Sequence, residues 1–98
     1  MRESAIEKHL SRQVKLLGGR ALKWSSPGNR GVPDRVVFVL GQVWFIELKN
    51  EIGVLSTLQI IMGRIIRQHT QNYAVLSSKQ EVDQWIAKVQ SLSQSTHQ

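Results

Sequence analysis

The sequence predicts one α/β domain, and three observations predict it. Apolar residues recur at helical spacing in three segments, near 3–17, 56–71 and 79–89. Between them lie short apolar runs of strand length, two of which, "RVVFVL" and "VWFIEL", are separated only by "GQ". The chain has 98 residues and no cysteine, enough to enclose a hydrophobic core without disulfide or thiolate-metal staples. The elements read in the order α-β-β-β-α-β-α, a mixed central sheet flanked by helices. They occupy residues 1–90, and the polar tail at 91–98 is expected to fray.

The first helix places Ile6, Leu10, Val14 and Leu17 on one face and stops at Gly18-Gly19. "ALKWS" at 21–25 reads as a short strand, and "SPGNRGVP" at 26–33 is a loop on its glycine, proline and asparagine content. The second helix spans about Ser56 to Gln71, with Leu58, Ile61, Met62, Ile65 and Ile66 directed inward. "NYAVLS" supplies a fourth strand. "SKQE" at 78–81 is a capping box opening a last helix through Trp85, Ile86 and Val89.

The central pair carries the most information. Gly41-Gln42 has the chemistry of a two-residue type II′ turn, which pairs Leu40 with Val43, Phe38 with Phe45, Val36 with Glu47 and Asp34 with Lys49. Alternation then puts Asp34, Glu47 and Lys49 on one face at one end, with Glu51 close behind. Both faces of the hairpin are otherwise apolar, so both are expected to be covered. A salt bridge between Asp34 and Lys49 explains two of these charges and leaves Glu47 alone. A buried charge is costly unless it is paired or bound to a metal. Carboxylates beside a lysine suit Mg²⁺ or Mn²⁺, which take oxygen ligands.

Two further polar residues sit at the edges of buried helical faces. Glu7 lies about 20° from Val14 around the first helix, and Glu3, one turn earlier, is its rival. Gln59 lies about 20° from Ile66. The Ser56-x-x-Gln59 pattern also makes it half of a capping box, and the two roles are compatible.

Thirteen lysines and arginines against seven acids give a net charge of +6, which suits a polyanionic partner or simply a soluble basic protein. Lys8, Arg12 and Lys15 form a stripe on the first helix, and Arg20, Lys23, Arg30 and Arg35 cluster around the loop before Asp34. Together they read as a phosphate track, and none of them as a base reader. The charged N-terminus and the short apolar runs predict an intracellular protein with no signal peptide and no membrane span. His9, His69 and His97 lack metal-ligand spacing, and without a Walker-type glycine loop no nucleotide cofactor is expected.

"PD" at 33–34 followed by "ELK" at 47–49 resembles the PD-(D/E)xK nuclease signature. With Glu7 on an N-terminal helix, "GVPDR" at 31–35, "WFIELK" at 44–49 and "LSxxQ" at 55–59, residues 3–76 resemble the VRR-NUC family. That family occurs as short stand-alone proteins of phages and bacteria. The resemblance implies a restriction-endonuclease-like core and a Mg²⁺- or Mn²⁺-dependent endodeoxyribonuclease in the cytoplasm of a bacterial or phage-infected cell. It also implies a homodimer resolving four-way (Holliday) junctions, with one or two ions per site. On it, Asp34, Glu47 and the Leu48 backbone carbonyl would be ligands and Lys49 the catalytic lysine. Glu7 would be an outer or direct ligand, and Gln59 would orient the nucleophile or the phosphate. Alternatives are a flap or other branched-DNA nuclease, and a non-catalytic basic DNA-binding module.

Overall fold

Helix α1 (Glu3–Leu16) begins after Arg2 and ends where Gly18 enters the left-handed region, its N–H donating to the Lys15 carbonyl and that of Gly19 to Val14. Ile6, Leu10 and Val14 recur every four residues and are fully buried. The computed structural model describes residues 2–50 and 52–95, and Glu51 and His97 lie outside that range. After α1 come strands β1 (Arg20–Lys23), β2 (Arg35–Val39) and β3 (Gln42–Leu48), helix α2 (Thr57–Arg67), strand β4 (Tyr73–Leu76) and helix α3 (Lys79–Ser95). This is the expected order. Helix α3 runs through 91–95, so the frayed tail expected there is helical as far as Ser95.

The four strands form one mixed sheet in the order β1-β2-β3-β4, antiparallel across the first two junctions and parallel between β3 and β4. Val37, Val39, Trp44, Ile46, Leu48 and Leu76 project from one face into a core closed by Ile6, Leu10 and Val14 of α1 and by Val82, Trp85, Ile86 and Val89 of α3. Trp44 and Trp85 meet edge to face, centroids 5.7 Å apart. No helix among the described residues is long and apolar enough to cross a membrane.

The hairpin register differs from the expected one by two residues. Leu40 and Gly41 form the turn, both with positive φ (49° and 76°), the pattern of a type I′ turn. Phe38 therefore faces Val43 and Val36 faces Phe45. Gln42 is a strand residue instead of a turn residue. Its side chain accepts from Trp44 Nε1 (2.7 Å) and donates to the Val89 carbonyl (2.9 Å), so this register satisfies the indole of the central core tryptophan. A shift of two preserves which face each side chain occupies.

The second face is less covered than the sequence suggests. Phe38 and Val43 remain 44% and 45% exposed, because α2 packs at the β4 side and leaves the middle of the face open. On α2 itself Ile66 and Gly63 are buried, whereas Leu58, Ile61 and Ile65, expected inward, are exposed. Among the described residues no element covers these side chains. At α3, Ser78 Oγ accepts from Glu81 N–H as the capping box requires, but the Glu81 carboxylate reaches one residue further back, to the N–H and hydroxyl of Ser77.

Candidate active site

The corrected register decides the site. One step beyond the last ladder pair, Arg35 with Ile46, Asp34 comes opposite Glu47 instead of Lys49. Asp34 is anchored twice: its carbonyl accepts from the Trp24 N–H (3.0 Å) and its Oδ2 from the Leu48 N–H (2.8 Å). The loop before it folds against the start of α2. Gly31, at φ +90°, has its Cα so near the Leu58 carbonyl that a Cβ would come within 2.4 Å of the oxygen, so only glycine fits. Pro33 follows, fully buried.

Glu47 is 1% exposed. Its Oε1 accepts from Gln59 Nε2 (3.1 Å), while Oε2 is buried without a hydrogen-bond donor among the described residues. Burial raises its pKa to about 8, helped by hydrogen bonding to the facing Asp34 carboxyl and by Asp34's charge; Lys49 opposes the shift and Glu3 adds to it. Two carboxylates face each other here, and neither brings a donor when ionised. A shared proton or a cation relieves that repulsion.

Gln59 makes the cap expected of it and also reaches the carboxylate pair. Its side-chain oxygen accepts from the Ser56 N–H (2.8 Å) while its own N–H donates to Ser56 Oγ (3.2 Å), completing the box. The amide nitrogen at the other end of the same group is what reaches Glu47. Asp34, Glu47, Lys49 and Gln59 thus come together at one end of the sheet.

Other expected participants are placed differently. Glu7 is ion-paired with Arg35, whose guanidinium also donates to the Ala21 carbonyl (3.1 Å). Both belong to the α1 side of the sheet, since Arg35 shares parity with Val37 and Val39. Arg35 is therefore a buried structural cation with no free face for a phosphate. Glu3, the rival to Glu7, is the α1 carboxylate whose charge reaches Glu47. Lys8, Arg12, Lys15, Arg20, Lys23 and Arg30 are all exposed. His9, expected as a plain surface residue, bonds Asp83 of α3 (2.7 Å), and His69 is exposed.

Sequence reasoning missed Tyr73. Its parity on β4, opposite Phe45, puts it on Glu47's face, and its phenol pKa is raised by burial and then by the charges of Glu47 and Asp34, with Arg67 opposing. The signal was present in the parallel pairing of "NYAVLS" with β3, which a hairpin-centred reading does not reach. Among the described residues no three His, Cys, Asp or Glu side chains gather, so the side chains that could hold a cation here are the carboxylate pair. The residues fit such an ion: a buried carboxylate oxygen without a donor sits beside a second carboxylate, and hard divalent cations prefer oxygen.

No family model matches the sequence. A candidate nuclease, p44, of Acyrthosiphon pisum secondary endosymbiont phage 1 is 52% identical over 50 residues, which is 50% of this chain and 54% of the phage protein. The chain therefore matches about half the length of that relative. A solved structure described as a VRR_NUC domain superposes with a TM-score of 0.81 at 30% identity, over 87% of this chain and 94% of that one. By that identity and coverage the chain belongs to the VRR-NUC family.

Proposed function

We propose that the protein is a divalent-metal-dependent, structure-selective DNA endonuclease, a homodimer that resolves four-way junctions in the cytoplasm of a bacterial or phage-infected cell. The observation that carries the reading is Glu47: a buried carboxylate facing Asp34, with one oxygen lacking a donor among the described residues. Without a cation the pair is relieved by the proton that Glu47 retains up to a pH of about 8. A divalent ion is the partner that suits both carboxylates when ionised. Family membership and the named phage relative support the same class of activity.

In this reading Asp34, Glu47 and the Leu48 carbonyl hold one or two Mg²⁺ or Mn²⁺ ions. When bound, such ions activate water and offset charge on the transferring phosphoryl group. Leu48 N–H fixes the Asp34 carboxylate, and Gln59 fixes one Glu47 oxygen, leaving the other to ligate an ion if one binds. Lys49 follows Glu47 by two residues on the extending chain and supplies positive charge beside the attacked phosphate. Of the two α1 carboxylates, Glu3 is the better placed outer ligand and Glu7 holds Arg35. Lys8, Arg12, Lys15, Arg20, Lys23 and Arg30 form the phosphate track, which makes binding salt-dependent and indifferent to sequence.

Cutting two opposed strands needs two sites, and a two-fold dimer provides them. The uncovered sheet face with Phe38 and Val43, together with Leu58, Ile61 and Ile65 on α2, is the surface such a dimer would bury. The test is a panel of labelled four-way junction, flap and nicked duplex DNA incubated with Mg²⁺ or Mn²⁺, with EDTA and Glu47→Ala as controls, and a solution mass measured alongside. Paired, symmetric cuts in the junction support the proposal. Preferential flap cleavage moves the substrate within the class. Binding without cleavage in either metal replaces the enzyme with a DNA-binding module.

A further inference from the structure

The sheet has two outer strands, and they are protected unequally. The outer edge of β1 carries Arg20 and Lys23 at its two ends, the charged guards that keep a strand from pairing with another chain. β4 reads Tyr-Ala-Val-Leu, with no charge, no proline and no bulge. Its inner side is satisfied: the Asn72 and Leu76 carbonyls accept from the N–H groups of Phe45 and Lys49. By strand alternation the N–H and C=O of Tyr73 and Val75 point away from β3, to the free edge.

A recess flanks that edge on each face. On the α3 side a groove of about 380 Å³ runs the whole length of β4, walled by Trp44, Trp85, Glu81, Gln84 and Lys88. On the α2 side a cleft of about 250 Å³ is walled by Ile60, Gly63, Arg64 and Arg67, with the Arg67 guanidinium 4.8 Å above the Tyr73 ring. An unguarded edge with a pocket on each side is the geometry of β-strand addition, in which backbone bonds give affinity and alternate side chains enter opposite pockets.

We infer that β4 is a docking edge for an extended acidic segment of a partner protein. Charge selects the occupant. Two arginines and no acid line the α2-side cleft, so side chains of the parity that enters it are acidic. In the α3-side groove Lys88 is offset by Glu81. Side chains of the other parity are apolar and lie against the two indoles. A second copy of this chain is the poorer occupant, because pairing β4 with β4 would bring these cations together in a protein already at +6. The edge borders the carboxylate pair, since Val75 lies opposite Glu47, but the backbone groups that would bind the segment point away from it. Peptide binding is read without DNA cleavage, so the inference and the nuclease reading fail separately.

The probe is a blocked octapeptide alternating leucine and glutamate, added to the wild-type protein while amide hydrogen exchange is followed. The expected result is saturable binding with protection of the Tyr73 and Val75 amides and none new on β1. Methylating alternate backbone nitrogens of the peptide, or replacing glutamate by lysine, weakens binding at least about tenfold. The double variant Arg64→Glu, Arg67→Glu reverses the preference toward the lysine peptide. Three results overturn the inference: binding that leaves Tyr73 and Val75 unprotected, displacement of the peptide by single-stranded DNA with equal loss of DNA affinity in the double variant, or protection of β4 by self-association without peptide.

Discussion

The two faces of the sheet are made from similar residues and end in different states. On the face beneath α1 and α3, Val37, Trp44, Ile46 and Leu48 are at most 1% exposed, and thirteen buried residues form one cluster. On the other face Val36, Phe38, Val43 and Phe45 alternate just as regularly, yet Phe38 and Val43 are nearly half exposed and the strand end holds two carboxylates instead of aliphatics. Apolar alternation therefore reports which face a side chain occupies, and says nothing about whether that face is closed by the same chain. The closed face supplies the stability that allows the open one to hold a buried, incompletely paired Glu47.

The sharpest way to break this contrast is at Glu47. Glu47→Ala lowers Mg²⁺- or Mn²⁺-dependent cleavage by at least about 10³-fold, about 4 kcal/mol of barrier, while leaving a folded protein. Circular dichroism and a junction-cleavage time course on the same sample check both halves. An unfolded variant would make Glu47 part of the core, and an active one would remove it from the chemistry.

Next in size is the difference between the faces themselves. Trp44→Ala opens a cavity under α3 and orphans the Gln42 side-chain oxygen that it now engages, costing about 3–5 kcal/mol in urea unfolding. Phe38→Ala on the open face costs less than about 1 kcal/mol in a dilute monomer. If the open face is the dimer surface, Phe38→Ala and Ile61→Asp shift the solution mass toward the monomer without that loss of monomer stability. A Phe38→Ala cost equal to that of Trp44→Ala would mean that the second face is closed within one chain.

Much of this was readable from residues alone. Ile6, Leu10, Val14, Trp85 and Val89 announce their burial by helical period, and the element order follows from turn and cap residues. The convergence of Asp34, Glu47, Lys49 and Gln59 was legible because a two-residue error in register leaves side-chain parity intact. The turn itself was not, since Leu40 in a left-handed conformation is unusual and is selected by the tertiary contact of Gln42 with Trp44 and Val89. Helical period placed Glu7 at the edge of the buried face but could not show that Arg35 waits there, nor that the charge of Glu3 acts on Glu47. Position around a helix gives a direction, and the partner at the end of it comes from the packing of the sheet. The apolar stripe of α2 failed for a related reason: its period is real, but Leu58, Ile61 and Ile65 find no cover among the described residues.

The pH dependence separates the two faces further. The Glu47 pKa is raised in the folded state, to about 8, so the native protein binds a proton that the unfolded chain releases near 4.5. Its contribution to metal-free stability is present below about 4.5 and is lost progressively as pH rises to about 8. Glu47→Gln removes that slope, so with EDTA the variant melts above the wild type at pH 9 and the gap closes at pH 5. Cation binding displaces the same proton. Affinity for Mn²⁺ therefore rises about tenfold per unit below pH 8 and levels off above it. Calorimetry in buffers of different ionisation heat reads close to one proton released per ion at pH 7, and a pH-independent affinity with no proton release would mean that Glu47 is ionised beforehand.

The smallest effects divide the two roles of Gln59, whose amide oxygen caps α2 while its nitrogen holds Glu47. Ser56→Ala removes the cap acceptor and costs about 1 kcal/mol of stability, with cleavage nearly unchanged because the Gln59–Glu47 bond does not depend on the Ser56 hydroxyl. Gln59→Glu does the reverse. A glutamate at this position still completes a capping box, so the helix start survives, but a third carboxylate replaces the donor that faced Glu47. Metal-free stability then falls as pH rises and the cleavage optimum moves upward, since two acids must lose protons where one did. Thermal melts and pH-rate profiles of the two variants resolve the matter. Equal loss of stability and activity in both would mean that Gln59 acts on Glu47 only by holding the helix in place, and that the open face owes its geometry to α2 as a rigid body.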